Sequence, residues 1–256
     1  MTAELAQRCQ SAKEIAVAAG AIAQQRRDQG LEIADKGIQD FVTQADTEVE
    51  RFISEALLES FPGEGIFGEE HPPQPSAQGT WVIDPIDGTT NFLKGMDYWC
   101  ISIAFVRDDQ ILLGCIYAPD RDELYSAYVG GGSELNGEPL PALSKVEPTR
   151  AILALGRSNR ASFSAYLNDL ETLQQLDMDY RRLGSAALSL AHIARGEVDG
   201  YYEAHLNSWD ACAGLIIAAE AGAECCHFLT ADALAQGNRT LAANPGVFEL
   251  LDARLS

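Results

Sequence analysis

The run Trp81-Val82-Ile83-Asp84-Pro85-Ile86-Asp87-Gly88-Thr89-Thr90-Asn91 constrains this chain more than any other segment. Trp81 to Ile83 is a short apolar stretch that reads as a buried strand. Pro85 holds Asp84 extended and removes a backbone donor, so the strand is expected to end there. Gly88 permits a backbone conformation that other residues resist, and Thr89 or Thr90 can cap a short helix whose free N–H groups face an anion. Two carboxylates, amides and hydroxyls therefore meet at one strand end, the outline of a metal and phosphate site. Read alone, the same residues also fit a capped turn with two surface aspartates.

The chain has 256 residues, 46% of them hydrophobic, enough for a sizeable core in one large domain or two intimately packed halves. Its formal charge of −20 opposes a nucleic-acid backbone or an anionic membrane as main partner. The same charge repels an anionic substrate from a carboxylate cluster unless divalent cations reverse the local sign. Cys9, Cys100, Cys115, Cys212, Cys225 and Cys226 form no CxxC pair and no zinc-type spacing, and read as reduced thiols, mostly in the core. The first residues are charged and lack an apolar signal core, and no segment reaches membrane-spanning length, so a cytoplasmic protein is expected.

Leu5, Cys9, Ala12, Ile15, Ala16, Ala19, Ile22 and Ala23 recur at helical spacing and predict a long helix over about 3–28, stopped at Gly30. Val49, Phe52, Ile53, Ala56 and Leu57 mark a second helix, ended by Phe61-Pro62-Gly63. A short strand and its exit follow at Gly65 to Glu70, then an exposed loop of freely variable length from His71 to Gly79. The β-rich runs Ile101 to Arg107, Ile111 to Tyr117 and Glu123 to Val129 read as an antiparallel meander. From Ala151 the pattern alternates: strands at 151–155, 201–203, 223–226 and 240–243, helices near 162–176, 185–195 and 209–221. The Pro141 to Pro148 region divides an N-terminal α+β half, 1–145, from a C-terminal α/β half, 146–256, packed as one unit.

Further acids sit where elements begin or end. Glu69 and Glu70 follow Ile66-Phe67 and fit either a solvated pair or a strand-end ligand that meets Asp84. Asp210 opens an apolar helix, where helix capping explains it as well as a metal does. Asp46, in Thr43-Gln44-Ala45-Asp46, or Thr47 can cap the second helix, and Lys36 reads as a solvated lysine. Ser185 fits an N-cap and Glu203 an exposed strand end. His71, His192, His205 and His227 show no ligand spacing, so no catalytic histidine is expected.

Together, the Trp81–Asn91 string, the TxxD segment at Asp46, Gly68-Glu69-Glu70 and the WDxxAG segment at Asp210 resemble the inositol monophosphatase family, within the superfamily of magnesium-dependent, lithium-sensitive sugar and nucleotide phosphatases. The resemblance spans nearly the whole chain. It implies an α/β (α+β) fold, a layered αβαβα sandwich with an antiparallel sheet in the first half and a mixed sheet in the second, usually as a homodimer. It further implies two or three magnesium ions: Glu69, Asp84 and the Ile86 carbonyl on one, Asp84, Asp87 and Asp210 on another, and Asp46 through water at a weaker third. In that scheme a water oriented by Glu69 and Thr89 attacks phosphorus in line, while the amides of Gly88 and Thr89 hold phosphate oxygens. Asp87 and Asp210 also border the substrate, and Gly184, Ser185, Ala186 and Glu203 match positions that contact the polyol.

The implied substrate is a small phosphorylated metabolite, inositol 1-phosphate first. Fructose 1,6-bisphosphate, histidinol phosphate and an adenosine bisphosphate are the alternatives, and a regulatory binding protein on the same scaffold is a further one. Thr90-Asn91-Phe92 is similar to inositol phosphatases more than to the nucleotide or histidinol enzymes, whereas Leu206-Asn207-Ser208 departs from the commonest inositol-phosphatase sequences.

Overall fold

The computed structural model describes residues 2–30, 33–37 and 40–255, with 33–37 and 40–43 described by their backbone alone. The first half runs α1 (Thr2–Gln29), β1 (Ile33–Gly37), β2 (Asp40–Thr43), α2 (Gln44–Ser60), β3 (Gly65–Gly68), β4 (Thr80–Asp87), α3 (Thr89–Lys94), β5 (Cys100–Arg107), β6 (Gln110–Ala118), β7 (Glu123–Tyr128), β8 (Gly132–Leu135) and β9 (Glu138–Pro139). The second half adds β10 (Ile152–Leu155), α4 (Phe163–Gln175), β11 (Asp179–Arg181), α5 (Ala186–Arg195), β12 (Gly200–Leu206), α6 (Ser208–Glu220), β13 (Glu224–Cys225), α7 (Ala233–Gln236), β14 (Asn238–Ala243) and α8 (Phe248–Asp252).

Seven strands form one sheet in the order β3-β4-β5-β6-β7-β8-β9, and five form a second in the order β11-β10-β12-β14-β13. Alternation along β5 shows why the first sheet is covered on both faces. Ile101, Ile103 and Phe105 join the core formed with Cys9, Ala16 and Ile53 of α1 and α2, whereas Cys100, Ala104 and Val106 join the core formed with Leu190, Cys212 and Ile217 of α5 and α6. That central core continues to Ala154, Tyr201 and Ala242 of the second sheet, and a third cluster joins Leu153, Tyr202 and Leu241 to Leu173 of α4 and Leu251 of α8. Five alternating layers result.

The first sheet is antiparallel from β4 onward, but β3 lies parallel to β4, pairing Gly65 with Thr80 and Gly68 with Ile83. Parallel pairing carries both C-terminal ends to one edge, so the residues after Gly68 meet the end of β4. The 71–79 segment is largely exposed, as expected, and is pinned at its middle: Ile66 N donates to the Gln74 carbonyl at 2.9 Å and Gln74 N to the Ile66 carbonyl at 2.7 Å. The strand through Asp84 also does not stop at Pro85; it reaches Asp87 through an irregularity between Asp84 and Asp87, where a residue without an N–H is tolerated. In the second sheet β10 is parallel to β11 and β12, and β14 is antiparallel to its neighbours, as a mixed sheet requires.

Candidate active site

Asp84 and Asp87, both buried, flank the irregular end of β4. The Asp84 Oδ1 atom accepts the Ile86 N–H at 2.9 Å, which fixes the turn of the chain beneath the carboxylate. Gly88 then adopts φ 92°, and a Cβ there would stand 3.1 Å from the carbonyl oxygens of Gly184 and Tyr98, so both conformation and space favour glycine. Thr89 opens α3 and its hydroxyl donates to the Ile86 carbonyl at 3.1 Å and to Asp46 Oδ1 at 3.5 Å. Asp46, 1% exposed in the first turn of α2, thereby reaches the same strand end.

Asp210 arrives from the first turn of α6, so the middle helical layer and the first sheet share the site. Ligand atoms of Asp84, Asp87 and Asp210 all lie within 4.8 Å of one another, and no other such group occurs among the described residues. Burial raises the Asp84 carboxyl well above its ordinary range, and the charges of Glu69, Asp210 and Asp87 push the same way. Asp210 rises to about 8, through loss of hydration and the neighbouring Asp87.

Asp87 faces the second half of the chain. It accepts the Ser185 hydroxyl at 2.5 Å, the Ala187 N–H at 2.7 Å and the Ala186 N–H at 3.2 Å, so the first turn of α5 holds this acid from about 100 residues further along the chain. Ser185 is also the N-cap of α5, accepting from Leu188 N at 3.4 Å. The Ala186 amide is thus engaged by Asp87. Glu203 of β12 is buried beside these residues, accepts the Tyr201 hydroxyl at 2.5 Å, and is raised by burial to about 7. A cavity of about 280 Å³ opens between Asp87, Asp210 and Glu203 and the Gly184–Ala186 turn.

One carboxylate without a motif completes the arrangement. Glu50, fully buried on α2, accepts the N–H groups of Glu70 at 2.7 Å and His71 at 2.9 Å, and its Oε1 lies 2.8 Å from His71 Nδ1. It fixes the backbone that follows Glu69. No histidine belongs to the acid group, and His192 is buried with its ring 3.3 Å from Glu123. The side chains of Lys36 and Thr43 lie outside the described residues. No helix of the described residues is long and apolar enough to cross a membrane, and all six cysteines are free thiols, four of them buried.

The donor set fits a hard dication. Asp84, Asp87 and the partly exposed Asp210 have raised proton affinity and no ion pair with a basic side chain among the described residues, and oxygen-rich sites of this kind suit magnesium or calcium rather than softer metals. The five layers and the acid-lined pocket define a layered α/β protein with a candidate dication site. The chain belongs to the inositol monophosphatase family, whose sequence pattern matches residues 4–254. It is 38% identical to an inositol-1-monophosphatase of Rhizobium meliloti (strain 1021) over 198 residues, covering 76% of this chain and 74% of the relative. It is 36% identical to Nus factor SuhB of Escherichia coli (strain K12), covering 88% and 86%. The crystal structure of extragenic suppressor protein suhB from Bartonella henselae superposes with a TM-score of 0.87 at 30% identity, covering 95% of this chain and 96% of that one.

Proposed function

We propose that this protein is a magnesium-dependent phosphomonoesterase that hydrolyses small polyol phosphates, inositol 1-phosphate first among them. The observation that carries the reading is the convergence of Asp84, Asp87 and Asp210, ligand atoms within 4.8 Å, beside a cavity that also contains Glu203. In this reading Glu69, Asp84, Asp87, Asp210 and the Ile86 carbonyl hold two magnesium ions, and Asp46 acts through water at a weaker third. Bound magnesium would supply charge neutralisation for the phosphate and acidify water at the site.

The chain's own groups do the rest. The Thr89 hydroxyl, anchored to the Ile86 carbonyl, orients the attacking water, and Glu69 accepts its proton. The amides of Gly88 and Thr89 hold the phosphate oxygens whose charge shifts as the ester bond breaks. Glu203, kept in place by Tyr201, accepts polyol hydroxyls, and the Gly184-Ser185-Ala186 turn borders the ring. A homodimer is the proposed assembly, checked by sedimentation.

The test is magnesium-titrated phosphate release from inositol 1-phosphate by the parent and by Asp87→Asn. Release depends on magnesium in the parent and falls at least about 100-fold in the variant, roughly 2.7 kcal/mol of barrier. Equal rates would remove Asp87 from the machinery. Relatives named as Nus factors favour a second reading, a regulatory binding protein; magnesium-independent failure to hydrolyse any ester in the parent would leave that role standing.

A further inference from the structure

His192 is a buried histidine outside the acid group, and both of its ring nitrogens face carboxylates. Nε2 lies 3.3 Å from Glu123 Oε2 of β7, and Nδ1 lies 3.2 Å from Glu197 Oε2, just past the end of α5. Nδ1 also lies 3.2 Å from the Tyr98 hydroxyl, which stands 3.3 Å from Ser189 Oγ. From there the contacts run to the site. Ser189 Oγ donates to the Ser185 carbonyl at 2.5 Å, and the Ser185 hydroxyl donates to Asp87 at 2.5 Å. The backbone of Tyr98 is tied to the same place, since its carbonyl accepts the Asn91 side-chain amide of α3 at 2.7 Å.

The hydrogens along this path can be counted. Ser189 gives its one hydrogen to Ser185, so its oxygen can only accept from Tyr98. Tyr98 also has one hydrogen and two acceptors in reach, Ser189 Oγ and His192 Nδ1, and the charge on His192 decides between them. The neutral ring keeps its hydrogen on Nε2, because the Glu123 side chain there is 12% exposed, whereas Glu197 is 37% exposed and can turn to water. Nδ1 then accepts the Tyr98 hydroxyl, and Ser189 is left without a donor. The charged ring donates from both nitrogens, to Glu123 and to Glu197, and the Tyr98 hydrogen passes to Ser189. That bond polarises the Ser189 hydroxyl and strengthens its hold on Ser185.

The other groups around the ring brace the two carboxylates. Glu123 also accepts from Arg195 at 2.7 Å and from Arg121 and the Tyr125 hydroxyl at 3.3 Å, and Arg195 lies 3.2 Å from Glu197. Burial lowers the pKa of His192 below the usual 6.5, with Glu197 and Glu123 acting the other way, so the change of partner falls on the acid side of neutrality.

We propose that Tyr98 is a positioning residue for the dication site: through Ser189 and Ser185 it steadies Asp87, and the charge on His192 sets whether it does so. The inference rests on the reading of Asp87 as a magnesium ligand and adds the residues that control it.

The test uses the full chain and magnesium alone, with half-saturation read from the rise in Tm that magnesium gives, so no substrate is needed. Tyr98→Phe keeps the ring and the carbonyl and removes only the hydroxyl. It raises the magnesium concentration for half-saturation about threefold to tenfold at about pH 5, the worth of one hydrogen bond, and by less than about twofold at about pH 8. Protonation of the site acids affects parent and variant alike and cancels in this ratio. The fall in the ratio follows the ring titration of His192 measured by NMR. Ser189→Ala weakens magnesium binding by itself, and adding Tyr98→Phe to it changes half-saturation by no more than about 1.5-fold at the lower pH, because the path is already cut. Equal half-saturation in parent and Tyr98→Phe at the lower pH, a ratio independent of pH, or additive losses in the double variant overturns this inference alone. If the pattern appears but the parent releases phosphate from no ester, the phosphomonoesterase reading fails and the control of Asp87 stands. A parent whose Tm magnesium does not raise at either pH removes both.

Discussion

Glu50 holds the backbone that follows Glu69. Its carboxylate is fully buried yet accepts the backbone N–H groups of both Glu70 and His71, so it clamps the two peptides that follow Glu69. A Cβ on Gly68 would come 2.3 Å from the Glu50 carboxyl carbon, so the glycine before Glu69 is part of the same clamp. Truncation in Glu50→Ala removes the acceptor from two amides and frees the Glu69 backbone. The magnesium concentration for half-maximal phosphate release is expected to rise about tenfold, as for other partners that orient ligands. Glu50→Gln, which keeps one acceptor oxygen, recovers part of the loss. A fall in Tm with unchanged magnesium dependence would reduce Glu50 to a structural role. Asp84 and Asp87 were legible in the sequence because ligand types crowd into one short string. Glu50 was not, because 20 residues of chain separate it from Glu70 and nothing local marks the pairing.

Helices α5 and α6 set the site's geometry from the middle layer, since Asp210 opens one and the first turn of the other holds Asp87. Their contact is close. A Cβ on Gly214 would stand 2.3 Å from Leu190 Cβ, and one on Gly114 of β6 would stand 2.4 Å from the Ala213 carbonyl oxygen, so α6 sits tightly between α5 and the first sheet. Gly214→Ala overpacks this crossing at a cost of about 1–3 kcal/mol, a Tm lower by roughly 2–8 °C for a chain of this size. Because the displaced helix carries Asp210, magnesium half-saturation is expected to rise in the folded variant too. An unchanged Tm measured by calorimetry would show that α5 and α6 separate without cost. The amphipathic spacing of α1 revealed both the helix and its buried face. By contrast, α6 is uniformly apolar and buried from Ala211 to Ala218, so its sequence disclosed a helix and no orientation. β11 escaped notice because three exposed residues, Asp179 to Arg181, carry no periodic signal.

For the whole molecule, the formal charge of −20 includes several acids whose proton affinity the fold raises. Burial raises Glu203 from 4.5 to about 7 and Asp210 from 3.8 to about 8, and it raises Asp84 and Asp87 in the same direction. A carboxyl with a raised folded pKa binds its proton more tightly folded than unfolded, so its contribution to stability is lost as pH rises toward the folded value. His192 has the opposite sign, since burial lowers it below 6.5, but that contribution is complete once pH exceeds the unfolded value. Asp120, held at about 2 by Arg27, is constant across the same range. Between pH 6.5 and 8 the site acids therefore decide the slope. Metal-free protein is expected to lose about 5 °C of Tm over that interval. In the proposed magnesium-bound form the ion takes over from the protons as the compensating charge, so adding magnesium is expected to raise Tm more at pH 8 than at pH 6.5. A metal-free Tm that climbs across this interval would mean that the acids are ionised and compensated within the fold itself, and the pocket would then have no need of a dication.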